Sequence, residues 1–161
     1  MLRTFITQRL APRLLAISNR RPPSTIIGGE ERPYLKRWWL IPRNPLCNVY
    51  LHQFLRSDDD RALHDHPWVN LSVLLRGEYT KHTIAAGGVN IRTARRAGDM
   101  KARLPSAAHR VELHAGPCWT LFITGPRVRA WGFHCPNGWR DWRVFTNPKD
   151  GGRTIGRGCE D

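Results

Sequence analysis

From residue 49 to residue 145 the chain is a succession of short β-branched and aromatic runs: VYLHQFL, VNLSVLL, EYTKHTI, GVNIRTA, DMKARL, HRVEL, CWTLFIT, RAWGF and WRVF. Turn-forming residues separate them, and no helical period or internal repeat competes with the pattern. Many short strands at near-regular spacing specify an all-β sandwich or barrel. At 161 residues the chain is one domain's worth, long enough to bury a core without staples. The reading divides it into an N-terminal amphipathic extension and linker (1–33), a folded body (34–145) and a flexible C-terminal tail (146–161).

The two ends differ from the body. MLRTFITQRLAPRLLAISNRRPPST is Arg-rich and free of acids, and it places Leu2, Phe5, Ile6 and Leu10 on one helical face. Organelle transit peptides over residues 1–23 share those traits, but Pro12 limits the helix and the Arg-rich style persists through the chain. A short amphipathic helix docked on the domain or on a partner is the favoured reading. NRRPPSTIIGGEERP reads as a connector, and NPKDGGRTIGRGCED has too little apolar content to pack.

The net charge is +13, with all but four of the basic residues arginine, and the excess is spread along the chain rather than gathered in an arm. It favours anionic partners without specifying a fold. Cys47, Cys118, Cys135 and Cys159 show neither CxxC spacing nor the density of a disulfide scaffold, so four reduced thiols in a cytoplasmic protein are expected. No run approaches the 18 to 20 or so apolar residues that span a bilayer.

The most informative stretch is ALHDHPWVNLSVLLRGEY, residues 62–79. In a strand, residues two apart face the same way, so His64 and His66 can share one ion. Trp68, Asn70, Ser72 and Leu74 continue their face, while Val69, Leu71, Val73 and Leu75 form an aliphatic back that must pack on a second layer, either the N-terminal segment or another subunit. Two ligands hold a metal poorly, and His109 in LPSAAHRVEL, at the start of another strand, is the candidate third. Asp65 points away from both histidines. His52, His114 and His134 read as structural or surface residues, and His82 is held as a substitute ligand. RSDDDRALHDH fails the EF-hand pattern at Ala62 and Leu63. Its acids read as turn formers, with Asp58 or Asp60 capping backbone amides or pairing with Arg61, and with a minor role bonding a histidine.

His64-x-His66, then Asn70, then Gly77 resembles in spacing the first motif of the cupin superfamily, and GDMKARLPSAAH, with Gly98, Pro105 and His109, resembles the second. The likeness spans about residues 47–135 and is nearest to small uncharacterised cupin-domain proteins of bacteria and their prophages. It implies a double-stranded β-helix, or jelly roll, with a short N-terminal helical extension, and a divalent metal on His64, His66 and His109. Fe(II) is favoured, with Zn, Mn or Ni as alternatives. The departure is Asn70, where cupins normally place Glu. Three-histidine cupins without that glutamate include thiol dioxygenases, which bind non-haem Fe(II). The resemblance thus implies a mononuclear dioxygenase acting on a small thiol or carboxylate substrate, with a non-catalytic ligand- or metal-binding cupin as the alternative.

The substrate pocket is expected around Asn70, Trp68, Ser72 and Arg103. Inward-facing His109 brings Val111 and Leu113 with it, and Trp119, Leu121 and Ile123 are read as a further apolar wall. Arg76, Arg103 and Arg110 are candidates for gripping an anionic substrate. RPYLKRWWLIPR and RAWGFHCPNGWRDWRVF interleave Arg with Trp. That composition suits a phage-related interaction module binding single-stranded nucleic acid, though buried Trp in the core is favoured. A homodimer is expected from the aliphatic back face.

Overall fold

Strand Asn70–Arg76 shows how the fold is assembled. Val73 and Leu75 are buried on one face and Leu74 on the other, in two separate apolar clusters. This double burial requires a layer on each side. The computed structural model describes residues 1–58, 62–150 and 154–160. Its strands are β1 (Thr25–Ile27), β2 (Leu35–Trp39), β3 (Asn48–Phe54), β4 (Leu63–His64), β5 (Asn70–Arg76) and β6 (Glu78–Ile84). They continue with β7 (Asn90–Arg96), β8 (Met100–Arg103), β9 (Arg110–Leu113), β10 (Cys118–Thr124), β11 (Gly132–Cys135) and β12 (Gly138–Asp141).

One antiparallel sheet has the order β1-β2-β3-β10-β5-β8, and two three-stranded sheets run β12-β11-β4 and β7-β6-β9. A single bridge between His64 and His109 joins the two small sheets. They therefore act as one opposing layer, and a cavity opens between it and the six-stranded sheet. The expected all-β jelly roll is what forms.

The outer face of the large sheet is covered by the chain's own N-terminus. Helix α1 (Leu2–Phe5), a π-helical stretch Ile6–Leu10 and helix α2 (Ala11–Arg20) run without a break. Pro12 does not end the helix: the π-helical stretch lies just before it and accommodates the missing N–H. The buried stripe is Ile6 and Ala11, flanked by Leu10, Leu14, Leu15 and Ile17, and it packs on Trp38, Leu51, Val73 and Leu75. Leu2 and Phe5, expected on that face, are exposed. Of the two occupants expected for the aliphatic back, the structure has the N-terminal helix. Val73 and Leu75 of that face are buried under it, while Val69 stays exposed.

Arg3 fastens the start of the helix to the β7–β8 turn through Ala97 O at 3.0 Å and Asp99 Oδ1 at 3.1 Å. At this turn Gly98 has φ +94° and lies so close to Arg3 that a Cβ would sit 2.3 Å from its Cγ. Gly77, with φ +87°, turns β5 into β6 where a Cβ would meet Cys118 Sγ at 2.8 Å.

Three expectations about local structure are corrected. WRVF is not a strand but helix α3 (Trp142–Phe145), because Asp141 caps it by accepting from Arg143 N at 2.9 Å. The connector contains β1, paired with β2. The described residues of the tail, 146–150 and 154–160, are docked rather than flexible. Thr146 bridges Ile155, the amides of Gly156 and Gly158 both donate to Phe145 O, and Cys159 is bonded to Cys135 with 5.4 Å between Cα atoms. Apolar content was the wrong measure for this segment, whose attachments are backbone hydrogen bonds and a covalent link. Two of the four cysteines are consequently not reduced thiols.

Candidate metal centre

His64 and His109 lie opposite each other on adjacent strands and exchange both backbone hydrogen bonds, at 3.0 and 2.9 Å. His66 is anchored two residues on, where its amide donates to Pro105 O at 3.1 Å. These bonds bring three imidazoles to one point, with ligand atoms within 4.8 Å of one another. Ring centroids are 4.7 Å apart for His64–His109, 5.1 Å for His66–His109 and 5.2 Å for His64–His66. Small side-chain rotations would bring all three to a common ion at about 2.1 Å.

The protonation states suit ligation. Burial, followed by the neighbouring histidine and Arg103 charges, holds His66 and His109 well below the ordinary histidine range. His64 is also lowered by burial, though Asp58 opposes this. Neutral imidazoles are the form that binds a metal. His109 Nδ1 lies 3.3 Å from Ala107 O, a bond that requires the proton on Nδ1 and leaves Nε2 free. His66 Nε2 is buried without a partner, as expected of a donor atom waiting for an ion.

Asp58 supports the cluster from behind. Its Oδ2 lies 3.6 Å from His64 Nδ1 and accepts from Val111 N at 2.8 Å, while its Oδ1 accepts from the Tyr34 hydroxyl. Burial and Asp58 keep that phenol protonated by pushing its pKa well up. The amide-capping role foreseen for Asp58 or Asp60 falls to Asp58; Asp60 and Arg61 lie outside the described residues. Asp65 points away, as expected. It accepts from Arg129 at 2.8 Å, Gly132 N at 2.9 Å and Trp139 at 3.1 Å, and lies 3.3 Å from His134 Nε2. Burial opposes its ionisation, but these donors, Arg129 foremost, hold its pKa below the usual carboxylate value. His82 is not a substitute ligand: it bonds Glu112 at 2.7 Å, away from the cluster.

The histidines open into a cavity of about 550 Å³ whose lining includes Trp68, Ser72 and Arg103. Asn70 is buried beside it at 2 % exposure. Of the three arginine candidates only Arg103 lines the cavity; Arg76 is exposed and Arg110 lies outside the lining. The wall contributed by β10 is the reverse of that expected. Thr120 and Phe122 face the cavity, opposite Leu74 and Ser72 of β5. Trp119 and Leu121 turn to the N-terminal helix, Trp119 stacking on Trp38 at 5.5 Å.

Sequence reasoning missed Tyr34, Arg37 and His52. Arg37 Nε donates to His52 Nε2 at 2.9 Å, and His52 stacks on Phe122 at 5.2 Å in the cavity wall. The alternation of Tyr50, His52 and Phe54 in β3 was the available signal. The tryptophans of the Arg/Trp stretches are largely spent on the fold. Trp38 is buried, and Trp131 and Trp142 stack at 5.7 Å in the cavity wall.

No family model and no curated protein matches the sequence. Solved structures do. A conserved double-stranded β-helix protein of Klebsiella pneumoniae aligns at 17 % identity and TM-score 0.51, over 71 % of this chain and 91 % of its own. Oxalate decarboxylase of Bacillus subtilis, with Mn(II) centres, aligns at 19 % identity and TM-score 0.51, over 71 % of this chain and 30 % of its own. HppE, crystallised with Fe(II) and substrate, aligns at 14 % identity and TM-score 0.52, over 65 % of this chain and 57 % of its own. At these identities the likeness is one of fold, and it agrees with the fold that the motif spacing implies: the chain has a double-stranded β-helix fold.

Proposed function

We propose that this protein is a mononuclear metal-dependent cupin enzyme that binds Fe(II) through His64, His66 and His109 and uses dioxygen to oxidise a small thiol or carboxylate substrate. The observation that carries the reading is the convergence of three neutral imidazoles, one with an orphaned buried Nε2, on an aromatic-lined cavity. Among the described residues the cluster includes no carboxylate, so the three imidazoles would be the groups that hold the ion. Bound there, the metal would supply Lewis-acid and redox chemistry and a template for both reactants. The Fe(II) and Mn(II) centres of the fold neighbours support a divalent first-row ion.

The chain's own residues have distinct tasks. Asp58 orients His64, with Tyr34 and the Val111 amide holding the carboxylate in turn. Phe122, Trp131 and Phe133 give the cavity an aromatic wall. Ser72 and Thr120 offer hydroxyls at its wall, and Thr120 Oγ1 is buried without a partner. The test is oxygen consumption by anaerobically Fe(II)-loaded protein with a panel of thiols and carboxylates, run beside His64→Ala/His66→Ala. Turnover confined to the wild type supports the reading. Equal or absent consumption in both across the panel contradicts it and favours a ligand-binding cupin.

A further inference from the structure

We propose that Arg103 is the carboxylate-binding group of this cavity, held there by Asn70 and Tyr79, and that Asn70 leaves its charge free where a glutamate would neutralise it. The inference deepens the proposed function and rests on its reading of the cavity as a small-molecule site.

Arg103 ends β8 directly opposite Asn70 of β5. The residue is 7 % exposed and lines the cavity with the three histidines. Its Nη1 donates to Asn70 Oδ1 at 3.3 Å, it hydrogen-bonds Tyr79, and its Nε is buried with no partner. A guanidinium only donates, so Asn70 must present its oxygen, and the amide nitrogen is left buried and unpartnered. Both partners of Arg103 are neutral. No described carboxylate lies within ion-pair distance of it.

Burying a guanidinium among neutral groups is costly unless something repays the lost hydration. A ligand carboxylate would do so by taking donors that Asn70 and Tyr79 leave unused, in the two-point geometry that guanidinium favours. The cavity's charge agrees. Arg37, Arg43 and Arg103 line it against one described carboxylate, Asp58, which is already engaged with Tyr34 and the Val111 amide. Phe54, Trp68, Phe122, Trp131 and Phe133 give the remaining wall an aromatic character, which fits an organic acid with an apolar or aromatic body.

Asn70 is then a positioning residue. A glutamate in its place would form a charged pair with Arg103 and remove the anchor. The departure from the usual cupin residue therefore exchanges a carboxylate beside the metal for a cation that can hold the substrate.

The test uses metal-free protein and acid/amide pairs: benzoate with benzamide, phenylacetate with phenylacetamide, and propionate with propionamide. Binding is followed by tryptophan fluorescence, to which Trp68, Trp131 and Trp142 of the cavity wall report. At least one acid is expected to bind saturably and tenfold or more tighter than its amide. Arg103→Gln and Asn70→Glu should abolish that preference, while Asn70→Gln and Arg103→Lys retain part of it. No acid preferred over its amide in the wild type overturns the proposal, and so does a preference that survives Arg103→Gln or Asn70→Glu. The wild-type comparison decides even where a variant does not fold. Because no metal is present, failure here leaves the metal reading intact, and loss of that reading leaves this result standing.

Discussion

His64, His66 and His109 show how much of a cluster depends on the residues behind it. Asp58 Oδ2 stands 3.6 Å from His64 Nδ1, and its own position depends on Tyr34 and the Val111 amide. Asp58→Asn keeps the shape but weakens the acceptor. It should lower metal affinity about 10- to 100-fold, measured by competition with a chelator of known affinity. The histidines also predict a pH dependence. Burial first, then neighbouring cations, hold His52, His66 and His109 neutral in the folded chain, with pKa values well below normal. In the unfolded chain each takes a proton near pH 6.5. Below about pH 6.5 the unfolded state therefore binds more protons, so stability falls as the pH is lowered and is flat in this respect above it. Thermal melts of metal-free protein between pH 5 and 8 should show this slope, and a level profile would contradict it.

At the scale of elements, the histidine cluster is built where β4 meets His109, just before β9, through one bridged pair, while the large sheet supplies the opposite cavity wall. The tail belongs to this arrangement. Thr154 and Ile155 line the cavity, and the Cys135–Cys159 bond ties the segment to β11, the neighbour of histidine-bearing β4. The bond joins residues 24 apart in sequence, so Cys159→Ser should cost about 2 to 4 kcal/mol of stability by releasing the constraint on the unfolded chain. A denaturant titration checks the figure. Burial pushes the Cys118 thiol up to about 11 and its Sγ donates to Glu78 O, which leaves Cys47 as the exposed free thiol. An aromatic disulfide reagent should thus titrate one thiol in native protein and two after unfolding without reductant. Four in the unfolded, unreduced protein would show the bond to be absent.

For the whole molecule, the fold and the histidine cluster were legible in the sequence because both are local. Period-two alternation marks strands one at a time, and His64-x-His66 needs only a strand to bring two imidazoles together. What stayed hidden depends on pairing between distant segments. β10 alternates two half-apolar faces, so only its register with β3 and β5 decides that Thr120 and Phe122 face the cavity. Arg37 meets His52, and Asp58 meets Tyr34, only after β2 and β3 pair. The helix at 142–145 and the tail's docking rest on a cap and a disulfide that composition does not register. Asn70 was visible as a departure from the cupin pattern, but its partner Arg103, 33 residues away, became visible only with the β5–β8 register.

The central claim is that the three histidines form one metal site. Elemental analysis of protein purified anaerobically tests it most directly when the wild type is compared with His64→Ala/His66→Ala. The account predicts close to one divalent first-row ion per chain in the wild type and less than about a tenth of that in the variant, since a single remaining imidazole does not retain such an ion. Equal metal content in the two proteins, whether negligible or stoichiometric, would contradict it.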